Sequence, residues 1–171
     1  VQLCDPFFRR EAEGLGIDLP AQGSYGVGMI FMPQDGDRRA ACCELVEEVT
    51  AEEGLEPLGW REVPTDETVL GELARREVPY VLQCFTGGSG RSGAELERKL
   101  YVLRKQVERR VAERMPEEEG FYIPSWSAHT IVYKGLMLPG QVTGFYADLN
   151  DGEFTSAVAV IHQRYSTNTF P

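Results

Sequence analysis

Apolar residues recur at helical spacing in three stretches of the chain. Over residues 5–15, Phe7, Phe8, Ala12 and Leu15 lie among Arg9, Arg10, Glu11 and Glu13. This predicts a short amphipathic helix that Gly14 and Gly16 end. Over residues 37–53, Ala41, Leu45, Val46 and Val49 repeat against glutamates, with Gly54 as the stop. The strongest stripe is Leu96, Leu100, Leu103, Val107 and Val111, which predicts a long helix over 94–114. Glu97, Arg98, Lys99, Arg104, Lys105, Glu108 and Arg109 fill its other faces, and Glu97 and Arg104 suggest ion pairing along the helix.

Between these helices run short apolar and β-branched segments bounded by turn residues. They predict strands at Tyr25–Met32, Leu58–Val63, Val78–Phe85, Phe121–Trp126 and Thr130–Lys134. Pro64-Thr65-Asp66 reads as a turn, with Asp66 or Thr65 capping a brief helical segment near Val69–Arg75. Leu138-Pro139-Gly140 turns into a short segment ending near Tyr146, and Asp148–Gly152 reads as a polar loop. Ser156-Ala157-Val158-Ala159-Val160-Ile161 reads as a last, buried strand. From Tyr25 to Trp126 the order is strand, helix, strand, strand, helix, strand, the order of a split β-α-β unit. Because further strands follow, the class expected is α+β, in one domain with no repeat and no linker.

Charge narrows the choice of partner. The chain of 171 residues has 17 Lys+Arg against 27 Asp+Glu, a net charge of -10, so phosphate backbones and anionic lipid would be repelled. No nucleic-acid or membrane partner is expected. No apolar run approaches a membrane span and no signal-peptide pattern opens the chain. Cys4, Cys42, Cys43 and Cys84 form no C-x-x-C, and with two histidines they read as reduced thiols of a cytoplasmic protein rather than metal ligands.

Three features could carry chemistry. Gly88-Ser89-Gly90-Arg91-Ser92-Gly93 fits G-x-G-x-x-G between a strand and a helix, yet no acidic residue ends the next strand, so a surface loop is the better reading. His129 and His162 have no nucleophile beside them in sequence and read as satisfied or exposed side chains. The third is His162-Gln163-Arg164-Tyr165-Ser166-Thr167-Asn168-Thr169-Phe170-Pro171, where an apolar run gives way to a guanidinium, hydroxyls and amides. Polar groups held out at a strand end suit a ligand pocket, and Arg164 could fork onto a carboxylate with Thr167 as a further donor. An edge-of-sheet arginine followed by a polar loop would show the same pattern.

Arg164-Tyr165-Ser166-Thr167-Asn168-Thr169-Phe170-Pro171 resembles the R-[FY]-S-T-N-T-x-P signature of glutamate synthase large subunits, in their N-terminal class II glutamine amidotransferase domain. Further segments agree in the same order: Pro6-Phe7-Phe8-Arg9, Tyr25-Gly26-Val27-Gly28-Met29-Ile30-Phe31, the stretch from Glu97 to Lys105 (E-R-K-L-Y-V-L-R-K), and Thr130-Ile131-Val132-Tyr133-Lys134-Gly135. The likeness runs almost end to end. It implies the four-layer αββα sandwich of N-terminal-nucleophile hydrolases, of which this chain would supply part. It also implies a glutaminase in which an N-terminal cysteine attacks the glutamine amide, its α-amino group acts as base, and an Asn-Gly pair steadies the oxyanion.

In that likeness Arg164 matches the arginine on the substrate's α-carboxylate, Thr167 a substrate-contacting hydroxyl, and Asn168 part of the same lining. The parent enzyme would use the released ammonia to aminate 2-oxoglutarate reductively, with flavin mononucleotide and an iron–sulfur cluster in other domains. A small subunit or ferredoxin would supply its electrons. The departures are as informative. Residue 1 is Val, and neither Cys-Gly nor Asn-Gly occurs anywhere in the chain. Both ends read as cut, so residues 1–171 are expected to be an internal fragment, inactive alone. The rival expectation is a non-catalytic α+β binding or regulatory module related to amidotransferases.

Overall fold

The computed structural model describes residues 1–118 and 120–162. Its frame is a four-stranded sheet made of β1 (Tyr25–Met32), β2 (Glu56–Glu62), β3 (Tyr80–Gly87) and β4 (Tyr122–Ser127). The strand order is β2-β3-β1-β4, and every neighbouring pair is antiparallel. Helix α2 (Gly36–Glu52) joins β1 to β2, and α4 (Gly93–Arg114) joins β3 to β4. Each crossover therefore skips one strand, which is the split β-α-β arrangement expected from the element order.

Both long helices lie on one face of the sheet. The stripe Leu96, Leu100, Leu103, Val107 and Val111 is buried, together with Cys42, Leu45, Val46 and Val49 of α2, against Ile30, Met32, Leu82, Cys84, Ile123 and Trp126. Ala41, expected in that stripe, is exposed, and Cys42 takes the inward position. Close approach on this face depends on β1 lacking side chains at two positions. A Cβ on Gly26 would overlap Leu100 Cδ1, and one on Gly28 would lie 3.0 Å from the Trp126 ring. Glu97 does not pair with Arg104. Its carboxylate accepts hydrogen bonds from Ser127 Oγ (2.7 Å) and the Ala128 N–H (2.8 Å), while Arg104 pairs with Glu108 on the next turn. The expected ion pair lost to a partner that ties α4 to the end of β4.

The opposite face is covered by shorter pieces. Helix α1 (Asp5–Gly14) brings Phe7, Phe8 and Ala12 against Tyr25, Val27, Met29, Val81 and Phe85. Helix α3 (Glu72–Arg76) and α5 (Val142–Phe145) sit near the rim, and 3-10 turns at Glu67–Val69 and Ala147–Asn150 complete the cover. Asp66 caps the first of those turns, accepting from the Thr68 N–H at 2.9 Å. With the central strands β1 and β3 buried on both faces, the chain has the α+β, helix-on-sheet layering of an N-terminal-nucleophile sandwich.

Two expected strands differ. Thr130–Lys134 forms only a bridge to Gln2, with Ile131 exchanging backbone hydrogen bonds with Val1. The ladder stops because the Val132 N–H turns to Ser125 Oγ at 3.0 Å and Tyr133 turns into the interior. Residues 156–161, expected as a buried strand, form no ladder among the described residues, with Val158, Val160 and Ile161 at 58%, 86% and 82% exposure. Among the described residues their only ties are side-chain bonds near Gln2 (Ser156 Oγ accepting from its N–H, the Ala157 N–H donating to its Oε1), so no neighbouring backbone completes a sheet.

Candidate functional site

The site residues expected from the polar strand end (Arg164 and Thr167) and from the family likeness (Asn168) all lie outside the described residues. What the structure describes is a buried polar network centred on Arg61. Arg61 shares the inner face of β2 and the residues after it with Val63, and at 4% exposure it is a buried cation. A charge taken out of water needs full pairing. Arg61 has it: Nε donates to Glu11 Oε2 (3.0 Å), Nη2 to Glu11 Oε2 (2.7 Å) and Asp148 Oδ1 (2.8 Å), and Nη1 to Asp148 Oδ2 and Gln83 Oε1 (both 2.9 Å). All five N–H donors of the guanidinium are thus used.

Asp148 completes its own set by accepting from the Tyr133 hydroxyl at 2.7 Å. Burial alone would lower the Arg61 pKa, but the hydrogen bonds it donates to Asp148 and Glu11 raise it, so the cation persists. Burial and then the Asp148 charge push the Tyr133 phenol well above its usual value, which keeps it a neutral donor. The network ties α1, β2, β3, the segment after β4 and the 3-10 turn at Ala147–Asn150 to one point. Backbone bonds prepare the approach: Asp66 N–H to Phe145 O at 2.8 Å and Ala147 N–H to Pro64 O at 3.1 Å lay residues 145–147 along the exit of β2.

Beyond Asp148 the same segment stays anchored. Asp151 and Glu153 pair with Arg10 of α1, and the Cys4 thiol donates to Glu153 O at 3.2 Å. The Phe154 ring stands edge-on to Phe7, Phe8 and Tyr133, with the Phe7 centroid 4.9 Å away. The chain then passes Gln2 and runs out through exposed residues 156–162. At this exit lies a cleft of about 430 Å³ lined by Gln2, Cys4, Asp5, Gln22, Thr155 and Ala157 among others. A second cleft, of about 480 Å³, sits at the other end of β1 beside Lys134, Tyr122 and Phe145, away from that exit.

Neither Arg61 nor Asp148 was a candidate from the sequence. The available signal was an arginine sharing a strand face with Val63, a position that demands an acidic partner from somewhere. The loop at Asp148–Gly152, expected to be merely polar, supplies it. His129 and His162 are exposed, in keeping with their reading. The loop at Gly88–Gly93 is braced by Arg91, whose Nη1 donates to Gly54 O (2.9 Å) and Gly88 O (3.4 Å), and by Gly93 N–H to Gly23 O (3.0 Å).

The thiols do not converge. Cys42 and Cys84 belong to the helix-side core and Cys4 to the opposite one. Burial pushes Cys42 and Cys43 up to about 11 and Cys84 up to about 12. No group of three or more His, Cys, Asp or Glu among the described residues could hold a metal ion, so these residues do not fit an iron–sulfur cluster. No helix among the described residues is long and apolar enough to cross a membrane.

Comparison with known proteins matches the family model of class II glutamine amidotransferases over residues 1–171. The glutamate synthase [NADPH] large chain of Bacillus subtilis is 45% identical over the whole of this chain and 11% of its own length. The ferredoxin-dependent glutamate synthase of Pyropia yezoensis is 39% identical, covering 96% of this chain and 11% of its own. The glutamate synthase [NADH] of Schizosaccharomyces pombe is 37% identical, over 96% and 8%. The chain therefore spans about a tenth of the length of the curated relatives it matches. With the family model covering every residue, over an α+β frame of the expected kind, the chain belongs to the class II glutamine amidotransferases.

Proposed function

We propose that residues 1–171 are an internal part of the glutaminase domain of a glutamate synthase large subunit. The observation that carries this reading is the family match over the entire chain, joined to relatives named glutamate synthase whatever their electron donor. The parent enzyme hydrolyses glutamine to glutamate and ammonia and passes the ammonia to a second site, where 2-oxoglutarate is reductively aminated. Flavin mononucleotide and an iron–sulfur cluster belong to its other domains, and its electrons come from a small subunit or ferredoxin. It works in the cytoplasm.

In the glutaminase step a terminal cysteine thiol adds to the amide carbon, and its proton passes by way of the α-amino group to the departing nitrogen, which leaves as ammonia. Water then cleaves the thioester to release glutamate and restore the thiol. This chain has no Cys-Gly and no Asn-Gly, so nucleophile and oxyanion donors come from other parts of the polypeptide. Cys4 does not replace the nucleophile, since it is internal, buried and bonded through its thiol to Glu153 O. The contribution of this chain is grip. Arg164 holds the α-carboxylate of glutamine, Thr167 adds a hydroxyl and Asn168 lines the same pocket, which fixes the amide against the thiol.

In the full-length enzyme, Arg164→Ala should raise the KM for glutamine on the order of 100-fold, the loss of a charged hydrogen-bonded partner. Glutamate formation from added ammonia should be unchanged. An unaltered KM removes the carboxylate role. Sequence of the gene on either side of residues 1–171 provides a second check, because absence of both Cys-Gly and Asn-Gly there would leave no catalytic machinery for the domain.

A further inference from the structure

The side of α4 that faces away from its buried stripe has a composition of its own. At 3.6 residues per turn, positions 98, 102, 105 and 109 fall opposite Leu96, Leu100, Leu103, Val107 and Val111, with position 101 beside them. That side carries Arg98, Tyr101, Val102, Lys105 and Arg109, all exposed, with Tyr101 at 61% and Val102 at 41%. We infer that this stripe is a docking surface for another part of the same polypeptide, one that presents carboxylates around an apolar centre. The inference rests on the reading of residues 1–171 as part of a large subunit, since the chain covers only about a tenth of its relatives.

Charge is the first observation. The chain has a net charge of -10, yet α4 alone holds seven of its 17 Lys and Arg against four glutamates. Three of the seven turn to α2: Lys99 to Glu53, Arg110 to Glu48 and Glu52, and Arg114 to Glu48. Those three hold the two helices side by side. The outward cations have no such duty. Arg98 meets no carboxylate among the described residues, and Arg109 comes only within 3.6 Å of Glu113. Lys105 shares Glu108 with Arg104. A helix face that only meets water intersperses both signs, whereas this one shows a single sign over about 17 Å from Arg98 to Arg109.

The second observation is the pair at its middle. Tyr101 and Val102 stand between Arg98 and Lys105, and among the described residues nothing bonds the Tyr101 hydroxyl. An apolar centre inside a charged rim is the anatomy of an interface, and Tyr and Arg are the residues that interfaces concentrate.

Size chooses the occupant. A strip one helix wide and this long offers on the order of 200 Å², against roughly 800 Å² per partner for a stable complex of separate chains. A tethered partner is held at about millimolar effective concentration and needs far less contact. Interfaces between domains of one chain are accordingly more polar than obligate ones. A second copy would also bring the same cationic stripe and the same net charge of -10.

The test uses the full-length enzyme, with a zero-length carbodiimide and hydroxyl radicals as probes. In the wild type, the carbodiimide should join Lys105 to an Asp or Glu outside residues 1–171. In enzyme assembled from isotope-labelled and unlabelled chains, the joined peptides should carry one label. Tyr101 should be oxidised about fivefold more slowly in the wild type than in Arg98→Glu/Lys105→Glu, because reversed charges at a contact repel. The reversal leaves the buried stripe untouched, and the carbodiimide arm needs no variant. Links from Lys105 to Glu108 alone, with Tyr101 oxidised equally in both enzymes, overturn the inference. Joined peptides of mixed label overturn it too, since the occupant is then a second copy. The parent reading fails separately: a gene that encodes only a short domain leaves nothing to dock, whereas a long gene with an open Tyr101 sinks the surface alone.

Discussion

On one face of the sheet, α2 and α4 lay two long amphipathic surfaces over Ile30, Leu82, Cys84 and Trp126, and the contact is almost wholly apolar. On the other, α1, two 3-10 turns and irregular segments cover Val27, Met29, Val81 and Phe85 with aromatic rings and a buried Arg61–Asp148–Glu11 cluster. The first face could accept many apolar sidechain combinations of equal volume and keep its helices in place. The second has few regular backbone bonds to rely on, so side chains define its geometry. The sheet lends rigidity to both faces, and only the second adds directed polar contacts that select one geometry.

The largest effect expected from breaking this contrast is at Asp148. Asp148→Ala leaves Arg61 buried with its charge half compensated, a change that costs about 3–5 kcal/mol. Unfolding in urea should show it as a lower midpoint. Replacing both partners, Arg61→Met with Asp148→Leu, should recover most of that loss, short of a remainder of about 1–3 kcal/mol because Gln83 Oε1 loses its donor. If the double variant were as unstable as the single one, the cluster would be chiefly a source of stability, and the two faces would not differ in the way described.

Next comes the helix side. Leu100→Ala should cost about 2–5 kcal/mol, the range for a fully buried leucine. Because a Cβ on Gly26 would overlap Leu100 Cδ1, adding Gly26→Ala to Leu100→Ala should return part of the loss, although Gly26→Ala alone destabilises. The measurement is again urea unfolding. The KM for glutamine of the folded full-length enzyme should stay unchanged.

The same contrast governs what could be read in the sequence. Periodicity located α1, α2 and α4 and β1 to β4 to within two or three residues, because each buries a face that repeats along its own length. The Leu96-to-Val111 stripe needs no knowledge of its partner. Asp148 and Arg61 meet across 87 positions, and nothing local marks an aspartate in a polar loop as the counter-ion of a strand arginine. Residues 156–161 failed for a related reason: β-branched composition reports affinity for a sheet, and the described residues offer it no ladder. Arg164 and Thr167, candidates from a polar strand end, and Asn168, a candidate from likeness to a family, lie beyond the described residues.

The smallest effect expected is on acid stability, and its sign follows from Glu11. Burial pushes the Glu11 carboxyl up, but hydrogen bonds from Arg10 and Arg61 outweigh it and hold the group below its usual value of 4.5. A carboxylate depressed on folding adds stability that is present above its unfolded pKa and is lost as pH falls through the folded one. Glu48, Glu108, Asp66 and Asp151 are depressed too and contribute with the same sign, so the chain as a whole should weaken on acidification. Glu11→Gln isolates one share of this. The variant should be less stable than wild type at pH 7, and the gap should narrow once the pH drops below about 4.5, as the wild-type carboxyl takes up its proton and comes to resemble the amide. Urea midpoints at pH 7, 5 and 3.5 measure it. A gap that stayed constant across that window would mean Glu11 acts through packing rather than charge, and the ionic character of the second face would rest on Asp148 alone.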